Sequence, residues 1–218
     1  MKTAVVGTAV QNHFSNFRGD TLIPDTVVRK FDVHDAETAP EPSRATLENA
    51  RQAFGFVPNL LGVLANSPVA LLAYTGLASI LEEGSLTPAE RQVVLLTVSV
   101  ANRCQYCVAA HTVLAAGAGV PADLVEAIRA ERTVPEGRLG ALSTVARRLA
   151  ESRGWLDQGE VAAFLGAGFD EAQLLEVITA LAMKTLSNYT NHLAETPLDA
   201  PFRKAAWEPP PEGIHAQR

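Results

Sequence analysis

The sequence predicts an all-helical fold. Apolar residues recur at helical spacing in one segment after another, and capping residues and glycines punctuate those segments. No strand pair or hairpin turn appears anywhere.

Residues 1–42 sustain no helical period and are broken by Pro24, Pro40 and Pro42. They are expected to form an irregular N-terminal arm, lying on the domain or on a neighbouring subunit. Helical patterning begins near Ser43, a residue suited to an N-cap. Leu47, Ala50 and Phe54 follow on one face, and Gly55 closes the segment. Val57-Pro58-Asn59 opens a short second helix through Leu64. Ser67-Pro68 places a cap before a proline at the first helical position, and that helix runs to about Glu83, with Gly84 as its stop.

Thr87-Pro88-Ala89-Glu90 repeats the pattern and adds the acidic residue that a capping box requires. The following stretch, Val93 to Ala101, is rich in β-branched residues that would suit a strand. The strong cap and the absence of any neighbouring strand pattern favour a buried central helix. Asn102-Arg103 reads as a break. Cys104 to Ala116 is a further helix, ended by Gly117 and Gly119. Amphipathic segments follow at Pro121–Arg132, Arg138–Arg153 and Gln158–Leu165, and the longest runs from Asp170 to Glu195. The helical domain is therefore placed at residues 43–206. Trp207 onward, with Pro209-Pro210-Pro211, is expected to be a flexible tail at residues 207–218.

At 218 residues the chain can bury a sizeable core, so it needs neither disulfide nor metal to fold. The net charge of −6, with no Lys/Arg-rich block, argues against a nucleic-acid partner. No apolar run is long enough to span a bilayer. Ala4 to Val10 faintly imitates an export signal, but Gly7 and Thr8 interrupt it and no cleavage site follows, so the expected location is cytoplasmic.

The chain contains only two cysteines, Cys104 and Cys107, and a disulfide closing so short a loop has little structural value. Such a pair in a reducing compartment is more often catalytic or metal-binding. On a helix starting at Cys104, Cys107 lies one turn on, and His111 one turn beyond that on the same face. The helix start favours a thiolate, and a nearby imidazole can take the thiol proton. One sulfur can then resolve an oxidised species on the other. Two rivals to this reading are a zinc site built on Cys104, Cys107 and His111, which lacks the usual second pair, and two cysteines simply buried in a core.

The run from Leu86 through Ala115, with its Cys-x-x-Cys-x-x-x-His centre, resembles the alkylhydroperoxidase D-like, or carboxymuconolactone decarboxylase, family. Gly55-Phe56-Val57-Pro58-Asn59-Leu60, Asn188-Tyr189-Thr190-Asn191-His192 and Thr196-Pro197-Leu198-Asp199 look like its peroxidase-related branch, and the likeness covers roughly residues 32–205. It implies an all-α bundle assembled as a trimer or hexamer. It also implies reduction of hydroperoxides through a Cys104–Cys107 disulfide with no other cofactor, using electrons from a dithiol or lipoylated protein. The family's attacking cysteine maps to Cys107 and its resolving cysteine to Cys104. Closeness to the helix start favours Cys104 instead, while the pairing with His111 favours Cys107, which is followed here.

The sequence also departs from the family. Gln92 stands where the family commonly has a glutamate, and Tyr106 stands where the peroxidase has a histidine inside the pair. Glu90 lies two residues from Gln92 and should face elsewhere unless the helix distorts. Tyr106 could donate a hydrogen bond at the site, and His192 with Asn188 could line the same pocket. Two rival functions are a lactone decarboxylase, against which the cysteine pair argues, and a non-catalytic, redox-responsive oligomeric protein, which the loss of the glutamate would suit.

Overall fold

The computed structural model describes residues 31–210. The described residues form helices α1 (Glu41–Phe54), α2 (Asn59–Leu64), α3 (Pro68–Glu82), α4 (Pro88–Ala101), α5 (Gln105–Gly117), α6 (Ala122–Arg129), α7 (Arg138–Glu151), α8 (Gln158–Gly166) and α9 (Glu171–Ala194). A 3₁₀ turn at Ala200–Ala205 follows.

The α4 helix occupies the centre and packs against α5, α6, α7 and α9. Val93, Val94, Leu96, Val98 and Val100 are all fully buried there, so burial outweighs the low helix propensity of β-branched side chains. The expected capping box fixes its start: Glu90 N donates to Thr87 Oγ1 and Thr87 N donates to Glu90 Oε2. Asp157 and Asp170 build the same device at the starts of α8 and α9.

Two apolar clusters meet in the bundle. The larger surrounds α4, and the smaller joins Leu47, Leu60, Leu61, Leu64 and Leu71 to Cys104, Tyr106 and Cys107. The cysteines thus sit between α5 and the α1–α3 layer.

Three local expectations need correction. Helix α1 begins at Glu41 rather than Ser43, because Pro42 fits the first turn of a helix, where its missing N–H is not needed. Ser43 is instead buried and donates to Ala65 O at 3.1 Å. Helix α5 begins at Gln105, with Cys104 as its extended N-cap. The start of the expected tail is docked: Trp207 Nε1 donates to Arg129 O at 2.8 Å, and Arg103 to Pro210 O at 3.1 Å. Within the expected arm, His34 N donates to Gly62 O at 3.2 Å, which seats this segment on α2. The readings made for residues 1–30 and 211–218 lie outside the described residues. Among the described residues, no helix is long and apolar enough to cross a membrane.

Candidate active site

Helix α5 sets its N-terminus against the long α9, which carries Lys184, Ser187, Asn188 and Asn191 as a buried polar stripe, one or two turns apart. Cys104 and Cys107 are both buried free thiols. Asn191 Nδ2 approaches both sulfurs, at 3.2 Å from Cys107 Sγ and 3.8 Å from Cys104 Sγ. Ser187 Oγ lies 3.9 Å from Cys107 Sγ.

His111 does not bond to either sulfur, although its helical spacing from Cys107 led us to expect it. Its Nδ1 meets Gln92 Oε1 at 2.9 Å and its Nε2 meets Lys184 Nζ at 2.9 Å. An ammonium only donates, so Nε2 is the acceptor and Nδ1–H donates to the amide oxygen. Lys184, which is wholly buried, enters from α9 between the imidazole and the face that carries Ser187 and Asn191, and its charge acts on Cys107.

The electrostatics distinguish the two cysteines. Burial pushes the Cys107 thiol up. The Cys104 thiol's hydrogen bond, the Lys184 charge and hydrogen bond, and Ser187 together hold it well below the ordinary thiol value. Cys104 moves the other way: its hydrogen bond to Cys107, its burial and the Cys107 charge all raise it. Burial, then the Lys184 charge, hold His111 well below the usual imidazole value, so it stays neutral. Tyr74 on α3 is pushed up by burial and by the nearby cysteines.

Tyr106 has a structural setting. Its hydroxyl donates to Asp199 Oδ2 at 2.5 Å and accepts from Leu60 N at 3.3 Å. Asp199 also accepts from Asn59 N, and Asn59 Nδ2 donates to Pro197 O at 2.9 Å. Burial raises the Asp199 carboxyl. Three sequence phrases far apart in the chain therefore meet around one phenol.

Of the remaining candidates, Gln92 reaches the site through His111. Glu90 does not, because it closes the α4 cap and pairs with Arg138 Nε at 2.6 Å. Asn188 accepts from Asn102 Nδ2 at 2.9 Å and bonds to neither sulfur. His192 is exposed and stacks near Tyr189. Cys104, Cys107 and His111 do not converge as metal ligands, and no other set among the described residues does so. Lys184, Ser187 and Asn191 were not anticipated as site residues. Their helical spacing on one face of α9 was the available signal.

A pocket of about 400 Å³ opens at this end of the bundle, lined by Arg103, Cys104, Tyr106, Asn191, His192 and Thr196 among others. It reaches Cys104, and Cys107 lies deeper. Glu195 also lines it, and both Arg103 (φ 55°) and Glu195 (φ 47°) hold left-handed backbone. Such conformations cost roughly 1–2 kcal/mol in a non-glycine residue and often collect at functional sites. Asn191 Oδ1 and Thr196 Oγ1 are buried without a hydrogen-bond partner.

Residues 69–151 match the model of the carboxymuconolactone decarboxylase family. No curated protein sequence matches the chain. Among solved structures, a peroxidase-related protein from Ralstonia eutropha, described as an alkylhydroperoxidase AhpD core, is 21% identical. It superposes with a TM-score of 0.69 over 79% of this chain and 93% of its own. A peroxidase-related protein from Silicibacter sp. is 20% identical, with a TM-score of 0.67 over 80% and 95% of the two chains. The debrominase Bmp8, in complex with 2,3,4-tribromopyrrole, is 17% identical, with a TM-score of 0.67 over 80% and 94%. At these identities the structural likeness establishes the fold alone, while the family match covers α4 and α5 with its cysteine motif. Residues 69–151 thus match the carboxymuconolactone decarboxylase family model, and the bundle that holds them has the fold of the alkylhydroperoxidase AhpD core structure.

Proposed function

We propose that the chain is a cysteine-based peroxidase that reduces organic hydroperoxides through Cys107 and Cys104. One observation carries this reading: two buried free thiols, Cys107 and Cys104, share the Asn191 amide at 3.2 and 3.8 Å, and the surroundings of Cys107 favour its thiolate. The Cys107 thiolate attacks the terminal peroxide oxygen, the O–O bond breaks, and Cys107 becomes a sulfenic acid. The leaving alkoxide takes one proton and departs as an alcohol. The Cys104 sulfur then displaces the sulfenic oxygen, which leaves as water with the Cys104 proton, and a disulfide forms. A small dithiol or a lipoylated protein reduces that disulfide, attacking from the pocket where Cys104 is reached first.

The reading includes a homo-oligomer, a trimer or hexamer, working in the cytoplasm. Exposed apolar side chains on α3 and α9, among them Val69, Leu72, Ile80, Leu175 and Leu193, suit such self-association.

The test is steady-state reduction of an organic hydroperoxide with supplied dithiol. Cys107→Ser is expected to abolish turnover, and Cys104→Ser to allow one oxidation without recycling. Full activity in Cys107→Ser would overturn the assignment of the nucleophile. Turnover of a brominated pyrrole but of no hydroperoxide would favour a dehalogenating activity instead. A single oxidation in the unmodified chain, with no recycling, would favour a redox-responsive protein.

A further inference from the structure

The charged and titratable groups facing Cys107 arrive from three helices: Tyr74 from α3, Cys104, Tyr106 and His111 at and within α5, and Lys184 from α9. The α4 helix contributes the uncharged Gln92, which touches only His111. Both phenols and the Cys104 thiol are pushed up, and the imidazole is held down, so all four are neutral near neutral pH. Among the described residues this leaves Lys184 as the full charge against the sulfur. Its side chain is wholly buried, so the ammonium is costly unless an anion and acceptors surround it. His111 Nε2 accepts from it at 2.9 Å, and it shares the α9 face on which Ser187 and Asn191 reach Cys107 Sγ at 3.9 and 3.2 Å, which sets the thiolate as its counter-charge.

We propose that Lys184 is the acid–base residue of the cysteine site. It holds Cys107 as a thiolate and gives one proton to the oxygen that leaves when Cys107 is oxidised. His111 and Gln92 fix its position. The transfer to oxygen rests on the peroxidase reading; the holding of the thiolate does not.

The step balances. Thiolate, hydroperoxide and Lys184 ammonium give sulfenic acid, alcohol and neutral Lys184 amine. Condensation with the Cys104 thiol forms the disulfide and releases water. The external dithiol then supplies two electrons and two protons. One proton restores the Cys104 thiol and the other restores the Lys184 ammonium, leaving Cys107 as thiolate. The glutamine at position 92 fits this scheme. A carboxylate there would compete with Cys107 for the one buried cation, whereas an amide oxygen only accepts from the imidazole.

The experiment uses the full chain with Cys104→Ser, so that Cys107 is the one remaining thiol. Iodoacetamide alkylation and ultraviolet thiolate absorbance are followed against pH, with and without Lys184→Met or Lys184→Arg. Lys184→Met is expected to raise the midpoint by at least about one pH unit and to slow alkylation near neutrality about tenfold. Lys184→Arg should keep most of the low midpoint. A midpoint unchanged in a folded Lys184→Met protein overturns the proposal. If Lys184→Met does not fold, nitrogen-15 lysine spectra of the unsubstituted side chain decide: alkylating Cys107 must move one lysine resonance, and no movement overturns the proposal. With Cys104 intact, Lys184→Met should lower kcat for a hydroperoxide by about 10²-fold or more, while KM changes little. A Lys184-dependent thiolate in a chain that turns over no peroxide would sink the peroxidase reading and the transfer to oxygen. The thiolate-holding role would survive.

Discussion

His111 turns Nδ1 to the Gln92 amide oxygen at 2.9 Å, so its partner on α4 is an acceptor that carries no charge. The imidazole is thereby fixed as one neutral tautomer, with Nε2 free to receive the Lys184 ammonium. The residue that departs from the family's usual glutamate is thus integrated into the site.

Gln92→Glu tests this directly. A carboxylate within hydrogen-bond reach favours the charged imidazole, by about 1–3 pKa units for a close pair. His111 should then titrate nearer its ordinary value, as followed by histidine NMR. An imidazole still neutral well below pH 6 would contradict the geometry described here.

Acid should destabilise the fold, and the sign follows from two depressed groups. Unfolded Cys107 binds a proton below about 8.5 and unfolded His111 below about 6.5, whereas the folded forms hold theirs only at lower pH. The Cys107 contribution is complete above the unfolded thiol value and is lost as pH falls toward the folded one. The His111 contribution behaves likewise from the unfolded imidazole value downward. Stability should therefore decline with acidification, by up to roughly 1.4 kcal/mol per pH unit for each proton. Urea midpoints measured across this range would show it, and Cys107→Ser should flatten the upper part of the slope. A constant midpoint would refute both assignments.

Tyr106→Phe should act on stability more than on chemistry. It removes the hydroxyl shared by Asp199 and Leu60 N and leaves a buried carboxylate with one donor fewer. Loss of a hydrogen bond to a charged group costs roughly 2 kcal/mol, or about 4–8 °C in Tm for a chain of this size. Alkylation of Cys107 should keep its pH midpoint. A large change in that midpoint, with Tm unaltered, would make Tyr106 a chemical rather than a structural residue.

Gly140→Ala should be severely destabilising. A Cβ there would collide with Pro135 O, a backbone atom that can yield only if the Val134–Gly137 loop moves. Overpacking of this kind costs about 1–3 kcal/mol or more. A melting curve superposable on that of the unsubstituted chain would show that the loop yields freely.

Much of the fold was legible because its signals are local. The capping box at Thr87 and Glu90 correctly outweighed the β-branched run of α4, since burial decides the state of Val93 to Val100. The cysteine–histidine motif was legible for the same reason, all its members lying within one helix. The contacts of that motif were not legible. Lys184 stands 73 residues from His111 in the sequence and meets it only through the packing of α9 on α5, which helical spacing within one segment cannot reveal. Glu90 was easier to set aside, because two positions along a helix point to different faces and Arg138 claims the carboxylate.

Cys104 is the extended N-cap of α5, and its backbone is anchored on both sides. Its N–H donates to Ser99 O and its carbonyl accepts from Val108 N, both at 2.9 Å. A new bond at its sulfur does not itself require either of these main-chain links to break. In the proposed cycle, the first turn of α5 would keep its anchorage while the Cys104 sulfur changes partners.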